Sequence, residues 1–105
     1  MGYKFDSQKY ITSGVRERIP LEILLMMFDS IGFMRRKTEG ELDYLQLFTL
    51  ETIGEDGNYL LSIRHEQEVP EAKMDIVVPV ADPINEKVYV IDDVDHVTML
   101  LAEEY

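Results

Sequence analysis

Apolar residues recur at helical spacing in one long stretch of the chain, which begins at Pro20 and ends near Met34. Proline has the fixed φ that suits the first turn of a helix, and Glu22 complements the helix dipole at that end. At 100° per residue, one broad apolar face is formed by Leu21, Leu24, Met27, Phe28 and Ile31. This pattern predicts one main helix, at about residues 20–34, whose apolar face packs on a sheet.

Two further apolar residues of this helix, Met26 and Phe33, fall beside its polar stripe and outside its apolar face. A second layer of the same chain, such as the N-terminal segment, is one way to cover them. A partner protein or the second copy of a homodimer is the other. Methionine is adaptable and phenylalanine supplies much contact area, so the pair suits recognition of another protein. Met26 and Phe33 are therefore the candidate partner-binding residues.

Outside the helix, apolar residues occur in short β-branched and aromatic runs bounded by glycine, proline and acidic residues. Runs lie at residues 10–12, 42–53, 59–68 and 74–78, and two more flank an acidic tip in a C-terminal hairpin. Residues 97–101 also suit a helix, but their β-branched members favour a strand. The sequence predicts an α+β fold in one domain, residues 1–105, with a mainly antiparallel sheet of about five strands against one main helix.

The charge balance narrows the choice of partners. The 105 residues include 10 Lys and Arg against 21 Asp and Glu, which gives a net charge of -11 at pH 7. Such a chain repels phosphate backbones and anionic lipids, so neither direct nucleic-acid binding nor membrane binding is expected. A basic protein surface or a metal ion is the better electrostatic match.

Cysteine is absent, which excludes disulfides, thiol nucleophiles and thiolate metal sites. Residues 1–20 carry no apolar core of signal-peptide length, and no run approaches the roughly 18 apolar residues of a membrane span. A cytoplasmic location is therefore expected.

The hairpin tip offers the clearest set of metal-ligand atoms. Asp92, Asp93, Asp95 and His96 lie within five positions of one another, and His65 would join them if its strand were adjacent. The tip does not match the calcium-loop pattern, because the required glycine and bidentate glutamate are missing. The alternative is a solvated acidic turn, in which aspartates bond local backbone groups. No cofactor is expected.

Signals for catalysis are weak. The segment from His65 to Glu68 begins like a zinc-protease motif, but position 69 is valine where that motif needs a second histidine. No serine sits in a strand-turn-helix elbow and no glycine-rich phosphate loop exists, which leaves His65 or His96 as the only plausible base. His65 follows the inward parity of its strand, so a core-rim histidine with one hydrogen-bonded nitrogen is the expected role.

Several runs, at residues 10–15, 19–22, 43–48, 65–70, 90–93 and 98–105, together resemble a known family. It comprises the small uncharacterised proteins of Gram-positive bacteria and their phages known as domain of unknown function nine hundred and sixty. The resemblance implies a bacterial or prophage cytoplasmic setting, where small acidic proteins frequently bind host machinery, and it implies no activity or site residue. The family's hairpin tip often has glycine after two aspartates where this chain has Val94, so a tight glycine turn does not carry over.

Three functions follow as hypotheses. The first is a non-enzymatic protein-interaction module, which uses Met26 and Phe33 together with an exposed sheet edge to bind a protein partner of unknown identity. The second is an acidic decoy or modulator that occupies the nucleic-acid-binding surface of a host protein. The third is a metal-binding domain at the acidic tip.

Overall fold

The computed structural model describes residues 2–105. Its elements follow the chain in this order: β1 (Gln8–Ile11), α1 (Ser13–Arg18), α2 (Leu21–Lys37), β2 (Leu45–Glu55), β3 (Asn58–Gln67), β4 (Ala72–Val80), β5 (Glu86–Asp92), β6 (His96–Leu101) and a final 3₁₀ turn (Ala102–Glu104). No helix of residues 2–105 is long and apolar enough to span a membrane.

The strands form one sheet in the order β1-β6-β5-β2-β3-β4. The α+β class with one main helix is confirmed, but the sheet has six strands where about five were expected, and it is mixed because β1 runs parallel to β6. Short turns indicate antiparallel pairs of consecutive strands. They carry no information about a pair whose members lie at opposite ends of the chain, which is why the parallel pair was not predicted.

Helix α2 is longer than predicted, and its buried face is rotated. It continues past Gly32 to Lys37, and it buries Ile23, Ser30 and Met34 while Leu21 is 65% exposed. Hydrophobic periodicity gives no signal for this rotation, because the buried Ser30 is polar. A short helix, α1, was also missed; Thr12 caps it by accepting a hydrogen bond from the Val15 amide at 3.3 Å.

The sheet has two unlike faces. Both helices pack on one of them, the inner face, whose alternate residues are buried: Phe48, Leu50, Leu61, Ile63, Val88, Val90, Val97 and Met99. No helix of residues 2–105 covers the opposite side, which we call the open face. Side chains on the open face are half-buried by their neighbours or exposed.

The predicted C-terminal hairpin is confirmed, with β5 antiparallel to β6 and residues 97–101 in a strand. Its tip adopts a conformation that favours glycine even though the residue there is Val94, whose φ is 82°. A positive φ is rare for a β-branched residue, and such strain costs on the order of 1–3 kcal/mol. The tip is therefore strained at an exposed valine.

Replacing Val94 with glycine should raise the free energy of unfolding by about 1 kcal/mol. Glycine relieves the strain at this φ, and the greater freedom of the unfolded glycine chain offsets part of the gain. Urea denaturation of both proteins measures the difference. Val94→Ala serves as the control, because its Cβ keeps most of the strain and its gain should be smaller. A destabilised glycine variant would contradict the prediction.

Candidate functional site

A surface cleft lies between the start of α2 and the end of β4. It has a volume of about 610 Å³. Its apolar lining comes from the α1–α2 junction, from both elements and from the loop after β4: Ile19, Pro20, Ile23, Met26, Val78, Pro79, Val80, Ala81, Pro83 and Ile84. A cleft of this size and lining is typical of a site that binds a side chain or a small ligand.

Met26 forms part of this cleft, where it lies opposite Val78 and Val80 and is half-buried against the core. Met26, which the sequence singled out, therefore lies beside β4 at the margin of the sheet. Phe33 does not line the cleft. It lies seven residues further along α2, is 49% exposed, and packs under the Arg36 guanidinium at 4.6 Å from the ring centroid. The two candidate residues occupy the same side of α2, two turns apart.

Beside the cleft, β4 forms one margin of the sheet, and no strand of residues 2–105 pairs with its outer edge. Pro79 lies within β4 opposite Leu60. Proline is accommodated in an edge strand when its missing N–H would point away from the neighbouring strand. Lys73, Asp75 and Val77 share its alternation, so their backbone N–H and C=O groups face outward too. They form a row of donors and acceptors that no strand of the described part of the chain pairs with.

The rim of the cleft is acidic in balance. Glu17, Glu22 and Asp82 lie around it, and Arg16 makes no ion pair within residues 2–105. The remaining cation, Arg18, is neutralised by two carboxylates: its Nη1 lies 3.6 Å from Glu86 Oε1 and also contacts Glu103. A basic group on a ligand would therefore meet uncompensated negative charge.

At the hairpin tip, the aspartate carboxylates bond backbone amides. Asp92 is only 4% exposed and accepts hydrogen bonds from the Phe5 amide at 2.9 Å and the Val94 amide at 2.8 Å. Asp93 accepts from the His96 amide at 2.7 Å, and this bond, aided by the nearby His96 ring, lowers the pKa of Asp93. Asp95 is exposed. No three or more His, Asp or Glu side chains of residues 2–105 are arranged to hold a metal ion.

His65 lies far from the tip, because β3 and β6 are separated by β2 and β5. The expectation of a core-rim position with one bonded nitrogen is wrong. The ring is fully buried, stacks on Phe48 at 4.1 Å, and has both nitrogens bonded, with Nδ1 2.7 Å from Ser30 Oγ and Nε2 2.6 Å from Gln46 Oε1. Burial lowers the pKa of His65 to about 4. The imidazole is therefore neutral at pH 7.

The hydrogen-bond network around Gln67 assigns the histidine tautomer. Gln67 Oε1 accepts from Gln46 Nε2 at 2.8 Å and from the Asp43 amide at 3.0 Å, while its Nε2 donates to the carbonyls of Glu41 and Pro70. Gln46 Nε2 is thus a donor on one side, which leaves its Oε1 to accept from the histidine. His65 consequently carries its proton on Nε2 and accepts at Nδ1 from the Ser30 hydroxyl.

The pair of Ser30 and His65 has the spacing of a nucleophile and its base. Both side chains have 0% exposure, so no substrate reaches the hydroxyl. No buried side-chain nitrogen or oxygen of residues 2–105 lacks a hydrogen-bond partner. The polar groups of Ser30, His65, Gln46 and Gln67 therefore satisfy one another and the backbone, as in a network that stabilises the core. Sequence reasoning missed Gln46 and Gln67. The available signal was a polar amide at inward positions of two neighbouring strands.

Comparison with known proteins gives the ancestry of the chain. The family model described as Staphylococcal protein of unknown function (DUF960) matches residues 8–104. The chain belongs to this family. The predicted resemblance is confirmed, and the DUF960 match covers every strand and both helices. No curated protein matches the chain.

A solved structure shares the DUF960 chain's fold. It is the crystal structure of a protein of unknown function from Enterococcus faecalis, with a TM-score of 0.69 and 23% identity over 100% of this chain and 98% of that one. At this identity the likeness shows the fold alone.

Proposed function

We propose that this protein is a non-enzymatic interaction module of bacterial or prophage origin, which binds an extended segment of a partner protein along β4. The observation that carries the proposal is the apolar cleft beside the outer edge of β4, with which no strand of residues 2–105 pairs. An added strand would bond the outward backbone groups of β4, and an adjacent side chain would enter the cleft beside Met26. Backbone bonds supply affinity in this mode, and the cleft supplies selectivity.

The chemistry of the segment follows from the cleft. Its apolar lining selects a large aliphatic or aromatic side chain, and the carboxylates of Glu17, Glu22 and Asp82 favour a neighbouring lysine or arginine. The net charge of -11 steers a basic segment toward the protein. The expected ligand is thus an extended peptide that combines apolar and basic residues.

A displayed library of extended peptides, selected on the protein, should yield sequences of this kind. Met26→Lys should weaken the binding of a selected peptide at least about tenfold, because an ammonium group would then occupy the apolar cleft. The matched control is Leu25→Lys, since Leu25 is 54% exposed on the same helix and does not line the cleft. Fluorescence anisotropy measures the peptide affinities, and thermal melting confirms that each variant folds.

Hydrogen exchange supplies a second readout at β4. A bound strand should slow exchange of the outward amides of Lys73, Asp75 and Val77, and Val77→Pro should weaken binding about tenfold by deleting one donor. Equal loss of affinity in Met26→Lys and Leu25→Lys, or unchanged exchange along β4, would contradict the proposed mode. Binding that disappears in high salt but tolerates Met26→Lys would instead favour the acidic decoy.

A further inference from the structure

The open face of the sheet is apolar over its central strands. Leu47 pairs with Tyr89, and Leu45 pairs with Ile91, across β2 and β5. Leu60 on β3 and Val77 on β4 extend the apolar surface, with 46% and 56% of their areas exposed. Larger exposed apolar patches on soluble proteins mark interaction sites.

Charge on the open face differs from that of the whole chain. Away from the β2–β3 turn, its alternating positions hold three basic residues and three acidic residues: Arg64, Lys73, Lys87, Glu51, Glu66 and Asp75. These charges cancel, whereas the whole chain carries -11. One opposite pair is already formed, with Arg64 Nε 3.1 Å from Asp75 Oδ1. The acidic excess therefore lies elsewhere on the molecule.

We infer that a second copy of this chain covers the open face, so that two sheets pack face to face in a two-fold symmetric dimer. A strongly basic or acidic partner would meet no complementary charge here. Two copies of this acidic protein, by contrast, repel each other least when the surfaces that face each other are neutral. A two-fold axis also places the charged residues of one open face against the same residues of the other copy, where opposite charges can pair.

The size of the face suits this occupant. Six strands about 4.8 Å apart, each contributing about six residues at about 3.4 Å, give a footprint of roughly 600 Å². Allowing for side-chain relief, this approaches the roughly 800 Å² per partner of a standard specific interface. Sheets packed in this way place their apolar side chains in a layer about 10 Å thick. The outer edge of β4 stays free in such a dimer, so peptide binding and dimerisation are separate properties.

Sedimentation velocity over a range of concentrations tests the inference. The wild-type mass should rise with concentration to twice the 12.2 kDa of one chain. Added salt should strengthen association, because it screens repulsion between the acidic remainders of the two copies. Leu60→Glu should raise the dimer dissociation constant at least about tenfold, since the symmetric interface contains the new charge twice.

Two further variants distinguish a dimer formed through the open face from one formed through the helices. Leu47→Glu changes the centre of the open face and should abolish the dimer, with circular dichroism verifying the fold. Leu25→Glu places the same charge on the outer surface of α2 and should leave the dimer intact. A protein that stays monomeric at the highest attainable concentration would overturn the inference. A dimer that resists Leu60→Glu but dissociates with Leu25→Glu would also overturn the inference. Neither result bears on the proposed peptide site at β4.

Discussion

Replacing Gln67 with leucine should lower the free energy of unfolding by about 3 kcal/mol or more. The buried amide accepts hydrogen bonds from Gln46 and Asp43 and donates to the carbonyls of Glu41 and Pro70. Leucine fills a similar volume but leaves those groups without this partner, and each unsatisfied buried group costs roughly 1–3 kcal/mol. Because a domain of this size is stable by about 5–15 kcal/mol, the loss is a large share of the total.

Urea denaturation followed by circular dichroism measures this effect. Gln8→Leu is the matched control, because Gln8 is exposed on the short edge strand β1 and makes no side-chain bond within residues 2–105. The control should change the free energy of unfolding by less than about 0.5 kcal/mol. If Gln67→Leu behaves like Gln8→Leu, the four hydrogen bonds do not hold the fold together in solution.

Acid should destabilise the protein through His65. Burial lowers the pKa of His65 from 6.5 to about 4 in the folded protein, while the unfolded chain keeps the ordinary value. Between these pH values the unfolded state binds the proton and the folded state does not, so stability falls as pH falls through this window. Above pH 6.5 the full stability is present. The loss at pH 4 should be on the order of 3 kcal/mol.

The His65→Gln variant isolates this contribution from the titrating carboxylates. Both proteins keep the acidic residues, including Asp93, so the difference between their stability curves reports the imidazole. The variant should be less stable than wild type at pH 7, and the gap should narrow or reverse by pH 4. His96→Gln retains the buried ring and should keep the acid-dependent drop. Parallel wild-type and His65→Gln curves between pH 4 and 7 would contradict the assignment.

Much of the fold was predictable because it depends on local patterns. Alternation correctly placed His65 on the inward side of its strand, and the β-branched Val97 and Thr98 correctly favoured a strand over a helix. Period and propensity act over a few neighbouring residues, so one sequence displays them directly.

The candidate site was predictable only in part. Met26 was selected because its helical position left it outside the apolar stripe, and in the structure it lines the cleft between α2 and β4. The other wall, formed by Val78 and Val80, could not be inferred, since the sequence does not say which strand borders α2. Ser30 shows the same limit, because the partner that allows its burial is a histidine 35 positions away in the chain.

The sequence by itself determined the main helix, most of the strands, the antiparallel C-terminal hairpin, the acidic charge and the family. Tertiary structure decided the parallel pairing of β1 with β6, the rotation of α2, the joining of Met26 to the edge of β4, and the separation of His65 from the hairpin tip. The physical reason is the distance along the chain over which each signal acts. Periodicity and turn chemistry are local, whereas strand order and polar burial depend on partners distant in the chain that meet only when the core closes.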